Sequence, residues 1–140
     1  MSAHKTLLIC TCDKTQSFDP DALQTAAAAE QVIMVDQLCG TDMRTAAEHM
    51  AGSSELLIAC GQQAALFERL SEDIQAETGQ SAPLNTIDIR DRAGWSASTA
   101  KPGRLHAKQA ALMAAAQLPA ATAPVKTIQS NGVCCIVGPT

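Results

Sequence analysis

The chain has 140 residues, 46% of them hydrophobic and 17% charged, with a net charge of −4. That length supports one domain with a genuine core. The acidic balance, the lack of a Lys/Arg block and the near-absence of aromatics (no tyrosine, two phenylalanines, one tryptophan) argue against nucleic-acid binding. No apolar run is long enough for a signal peptide or a membrane span, so the chain reads as soluble and cytoplasmic.

The first apolar run is Thr6-Leu7-Leu8-Ile9-Cys10, read as a strand. After a polar turn, Asp19-Pro20 predicts a helix start, with a capping side chain and proline at the first helical position. The helix continues through Leu23 and the alanines Ala26 to Ala29. A second strand, Val32 to Val35, is expected to extend towards Leu38-Cys39. Gly40-Thr41 then opens a helix with Met43, Ala46, Ala47 and Met50 on one face, broken at Gly52-Ser53-Ser54. Leu56 to Cys60 is the clearest strand in the chain. Gly61 turns it into a helix carrying Leu66, Phe67, Leu70 and Ile74, which stops near Gly79. A fourth strand, Leu84 to Ile89, leads into Arg90-Asp91-Arg92, then Trp95 and a loop. An alanine-rich helix follows from about Arg104 to Leu118.

Strands alternating with helices predict an α/β fold: a three-layer, doubly wound, mainly parallel sheet of the Rossmann or flavodoxin type with about five strands. Residues 1–118 form the α/β domain, and 119–131 a Pro/Ala/Thr-rich linker. Residues 132–140 hold a final strand, Val133 to Gly138, which either completes the sheet or begins a following domain.

In a reducing compartment the six cysteines are expected as ligands, redox groups or small core residues rather than structural disulfides. Cys134 and Cys135, inside an apolar strand, read as core. The other four are Cys10 and Cys12 at the first strand end, Cys39 at the second and Cys60 at the third. In open parallel sheets the functional crevice lies beyond the carboxyl ends of the strands. Neighbouring strands run roughly 4.8 Å apart, so three ends lie within about 10 Å. Cys10 and Cys12 point to one side if the extended conformation persists. Four such thiolates suit zinc or an iron–sulfur cluster, with helix N-termini favouring the thiolate form. A rival is a redox dithiol at Cys10 and Cys12, strained by its short spacing.

Arg90, Asp91 and Arg92 lie at the same edge and read as a solvated turn, with steering of a partner or balancing of a cluster's negative charge as the alternative; Trp95 reads as a packing plug, with a cover over the crevice as the alternative. His4, His49 and His106 are scattered and take no role. No complete G-x-G-x-x-G occurs, so no nucleotide site is expected within the chain. No Ser/His/Asp arrangement supports hydrolase chemistry.

Cys10-Thr11-Cys12, Leu38-Cys39, Ala59-Cys60 and Ile89-Arg90-Asp91-Arg92-Ala93-Gly94-Trp95 together resemble the N-terminal domain of the heterodisulfide reductase flavoprotein. That family consists of iron–sulfur flavoproteins. The resemblance covers roughly residues 6 to 118. It implies an electron-transfer component rather than a catalyst by itself, with a [4Fe–4S] cluster on Cys10, Cys12, Cys39 and Cys60. It also implies a redox partner protein or a following ferredoxin or flavin domain, any flavin belonging to that missing downstream domain. Two departures stand out. Ala93-Gly94 occupies the place of the family's Cys-Ser, and Gly61-Gln62-Gln63 that of its Ser-Pro-Arg. With one potential ligand missing, a cofactor-free docking domain is the alternative.

Overall fold

A computed structural model describes residues 4–60, 62–94 and 101–119, together with residues 125, 127, 129, 132 and 138. Among the described residues four strands alternate with four helices. In chain order these are β1 (Lys5–Cys10), α1 (Pro20–Ala27), β2 (Gln31–Val35) and α2 (Met43–Gly52), then β3 (Glu55–Ala59), α3 (Ala64–Thr78), β4 (Leu84–Ile87) and α4 (Pro102–Ala116).

The four strands form one parallel sheet in the order β2-β1-β3-β4. The expected α/β, doubly wound arrangement is therefore what the chain adopts. The fifth predicted strand, with Cys134 and Cys135, lies outside the described residues, as do Gly61 and Trp95.

Burial follows from strand position. β1 and β3 are central, and their residues are buried almost throughout. The edge strands β2 and β4 alternate or are half-buried. Side chains along a strand point alternately to opposite faces, so the core divides in two. Leu7, Ile9, Leu57, Ala59 and Ile87 face Leu23 and Ala27 of α1 and Met113 of α4. Leu8, Cys10, Leu56 and Ile58 face Ala46 and Met50 of α2 and Phe67 of α3. Cys10 is thus on the α2/α3 side.

Local chemistry sets the helix boundaries. Asp19 caps α1 by accepting the Ala22 N–H at 3.1 Å, and Pro20 follows it. The four-alanine run does not stay helical. Ala28 turns left-handed, and the N–H groups of Ala28 and Ala29 close the helix on Thr25 O and Gln24 O. Gly79, at φ +77°, ends α3 in the conformation that glycine adopts without penalty. α4 starts two residues earlier than expected, at Pro102, whose fixed φ suits a first helical position. β2 stops at Val35. Its expected extension to Leu38-Cys39 is replaced by turns, because Asp42 reaches back to bind the chain there.

Candidate functional site

The order β2-β1-β3 places the topological switch between β1 and β3. From there the chain winds first to β2 on one side and later to β4 on the other. At such a point the loops leaving the two strands separate and open a crevice beyond their carboxyl ends. Cys10 is the last residue of β1, and Cys60 is the first residue after β3. A cavity of about 160 Å³ opens there, lined by Cys10, Cys12, Cys39 and Cys60 together with Gln62 and Arg90. All four cysteines singled out from the sequence therefore meet at one cavity. An engineered apolar cavity of about this volume is known to take a benzene-sized group.

Each thiol arrives differently. Cys10 is only 5% exposed and is held by the sheet. Its thiol reaches the Asp36 carbonyl at 3.6 Å, and its sulfur accepts the Leu38 N–H at 3.4 Å. Cys60 is half-buried, and the N–H groups of Gln62 and Gln63, at the start of α3, hydrogen-bond to its sulfur. Cys39 is exposed and stands four residues beyond β2, not at its end. The Asp42 carboxylate holds its loop by accepting the N–H groups of Asp36 at 3.1 Å and Gln37 at 2.8 Å.

Cys12 departs most from expectation. The extended conformation does not persist beyond Cys10. Cys12, Asp13 and Lys14 have φ of 52°, 58° and 61°, a run of three left-handed residues without a glycine. Each such residue costs about 1–2 kcal/mol relative to the right-handed form, and such strain concentrates at functional sites. Bonds within the turn and across to Asp36 hold it. Thr11 Oγ1 donates to Asp36 Oδ1 at 2.8 Å and accepts the Lys14 N–H at 3.1 Å. The Asp13 N–H donates to the Asp36 carbonyl at 2.7 Å, and Thr15 Oγ1 donates to the Cys12 carbonyl at 2.6 Å. The result aims the Cys12 N–H at the Cys10 sulfur.

This strain makes an unusual mutation favourable. Lys14→Gly is expected to stabilise the fold by about 0.5–1 kcal/mol, because glycine removes the left-handed penalty while giving back part of it as unfolded-state freedom. The ion pair lost, Lys14 with Asp36 at 3.5 Å, is exposed and worth little. Thermal melting reads the effect as a rise of a few degrees. A fall would mean that the turn is not strained.

The electrostatics centre on Cys10 and Cys60, whose thiols hydrogen-bond to each other. The bond from Cys60, helped by the Leu38 and Cys12 N–H groups, outweighs burial and the nearby Asp42 carboxylate. It draws the Cys10 thiol down to about 6. The same bond, followed by burial, pushes Cys60 up. The two thiols thus titrate as a pair, with the charged form favoured at Cys10 and disfavoured at Cys60.

Arg90 is the contribution that sequence reading undervalued. Taken as part of a solvated turn, it instead lines the cavity. Its Nη1 donates to Gln62 Oε1 at 3.5 Å, and Gln62 Nε2 donates to Asp91 Oδ2 at 2.9 Å, tying the loop after β4 to the start of α3. The signal was its place after a predicted strand, at the same edge as the cysteines. Ala93, where the resembled family carries a cysteine, is fully buried and is not among the residues lining the cavity. Gly94 fits where a side chain does not, since a Cβ would stand 2.9 Å from the Arg90 carbonyl oxygen.

Comparison with family models, curated proteins and solved structures finds no match to this chain. The site therefore stands on its own chemistry. Among the described residues no three His, Cys, Asp or Glu side chains gather round a point fit for a single metal ion. The four cysteines are among the residues lining one cavity. No helix among the described residues is long and apolar enough to cross a membrane.

Proposed function

We propose that this chain is an electron-transfer module whose four thiols, Cys10, Cys12, Cys39 and Cys60, hold an iron–sulfur cluster of the [4Fe–4S] type. The observation that carries the reading is that all four line one cavity at the switch point of a parallel sheet. The donor set fits such a group. Among the described residues four cysteines and no carboxylate line the cavity, and Arg90 supplies positive charge to its wall. Soft thiolates select iron–sulfur clusters or zinc over hard cations. Sulfurs spread round a cavity suit a polynuclear centre better than a single tetrahedral ion.

The cluster would supply one-electron chemistry. The protein's part is to hold it and to set its potential through hydrogen bonds, charge and burial. The N–H groups of Leu38, Cys12, Gln62 and Gln63, already directed at Cys10 and Cys60, favour the charged thiolates and orient the sulfurs. The exposed Cys39 puts one ligand at the surface, where a redox partner protein or a following ferredoxin or flavin domain would exchange electrons. Cys10 to Cys60 would then be ligands, not a catalytic set.

Iron and acid-labile sulfide on anaerobically purified protein, read beside the visible spectrum, test this directly. Near-stoichiometric iron and sulfide are expected, with both lost in Cys39→Ser, a substitution at an exposed position that leaves the core intact. Folded, colourless protein that takes up neither iron nor sulfide on anaerobic reconstitution would leave a docking domain in its place.

A further inference from the structure

Of the four thiols, two stand at neighbouring strand ends. Ile9 and Ala59 are the last partners in the parallel ladder between β1 and β3, and the residues that follow them are Cys10, the last of β1, and Cys60, the first after β3. Both side chains lie on the α2/α3 face, with Leu8 and Ile58 beneath them, and both residues line the same cavity. Adjacent strands run about 4.8 Å apart, within the Cα separation of about 4.4–6.8 Å that a disulfide spans. Cys12 is turned off the strand by its left-handed backbone, and Cys39 sits on the loop that follows β2.

We propose that Cys10 and Cys60 are a reversible dithiol–disulfide pair, oxidised through the cavity by low-molecular-weight disulfides. Cys10 attacks one sulfur of the incoming RS–SR, forming a mixed disulfide and expelling RS⁻, which takes up the proton that Cys60 releases. The Cys60 sulfur then attacks Cys10 Sγ, closing the Cys10–Cys60 bond and expelling the second RS⁻, which is protonated by water. Two thiols are oxidised and one disulfide is reduced to two thiols. A thiol reductant reverses both steps. Closing the bond also withdraws two of the four sulfurs facing the cavity, so oxidation blocks cluster loading. That consequence rests on the cluster reading; the pair itself does not.

The full chain, freed of iron and reduced, is incubated anaerobically with oxidised glutathione and digested with trypsin without reductant. The segment 6–14, which holds Cys10 and Cys12, is expected linked to the segment 45–69, which holds Cys60. The link should persist in Cys12→Ser, vanish in Cys10→Ser and open with dithiothreitol. Fragmentation of the wild-type linked peptide assigns the sulfur even where Cys10→Ser does not fold. A link to any other cysteine segment, a link that disappears in Cys12→Ser, or glutathione adducts alone would overturn the proposal. Reduced and oxidised samples are then offered ferrous iron and sulfide, and only the reduced one is expected to take them up. Equal uptake would refute the block on loading. A reduced sample that binds none, with the link still formed, removes the cluster reading and leaves the disulfide pair standing.

Discussion

Replacing Cys60 with alanine in the iron-free, reduced protein is expected to return the Cys10 thiol from about 6 towards the ordinary cysteine value of about 8.5. The hydrogen bond from Cys60 is the largest influence holding Cys10 down, and what remains is opposed: two backbone N–H groups against burial and Asp42. At neutral pH the thiolate fraction at Cys10 should fall strongly. A titration of ultraviolet thiolate absorbance reads this directly. An unchanged low titration in Cys60→Ala would mean that the backbone donors alone suffice.

The same pair shapes stability against pH. Cys10 is depressed in the folded state, so its contribution is complete above the unfolded value of about 8.5 and is lost as pH falls through about 6. Cys60 is raised, so its contribution is complete below its unfolded value and is lost as pH rises beyond it. The urea midpoint of the reduced, iron-free protein is therefore expected to climb between pH 6 and about 8.5 and to decline above that. In Cys60→Ala the climb should flatten.

Phe67→Ala is expected to destabilise the fold by about 3–5 kcal/mol, the usual range for deleting a buried aromatic. Phe67 is fully buried among Leu8, Ile58, Ala46 and Met50. It is the side chain through which α3 grips the sheet on the face that carries Cys10. The chain supplies little to refill the void, since its core is built from small aliphatic residues. Melting temperature should fall by more than about 10 °C for a domain of this size. α3 also presents the Gln62 and Gln63 N–H groups to Cys60. The variant should therefore expose Cys60 to alkylating reagents at temperatures where the parent protects it. A loss below about 1 kcal/mol would show that α3 docks by other contacts.

Much of the fold was legible in the sequence because its signals are local. The continuous apolar runs Leu7 to Cys10 and Leu56 to Ala59 have the length of strands buried on both faces, and they are the two central ones. Asp19-Pro20 and Gly79 marked helix ends by the chemistry of capping and of left-handed backbone. Where local preference was weak, the boundaries moved. The alanine run after Ala27 carries no stop signal, and its end is set by the chain turning into β2. The chain beyond Val35 looked apolar enough to stay extended, but Asp42 holds it in turns.

The sequence by itself determined the alternating architecture and the gathering of cysteines at one edge, since short apolar runs, helix caps and strand ends are properties of neighbouring residues. Tertiary structure alone decided how the four thiols reach a common cavity. Nothing in Cys12-Asp13-Lys14 announces a left-handed run; Thr11 and Asp36, on different strands' ends, impose it. Nor does the sequence reveal that Cys60 stands beside Cys10. That placement follows from the β1–β3 register, whose last partners are Ile9 and Ala59, and which is fixed by long-range burial of two apolar strands against helices on both faces.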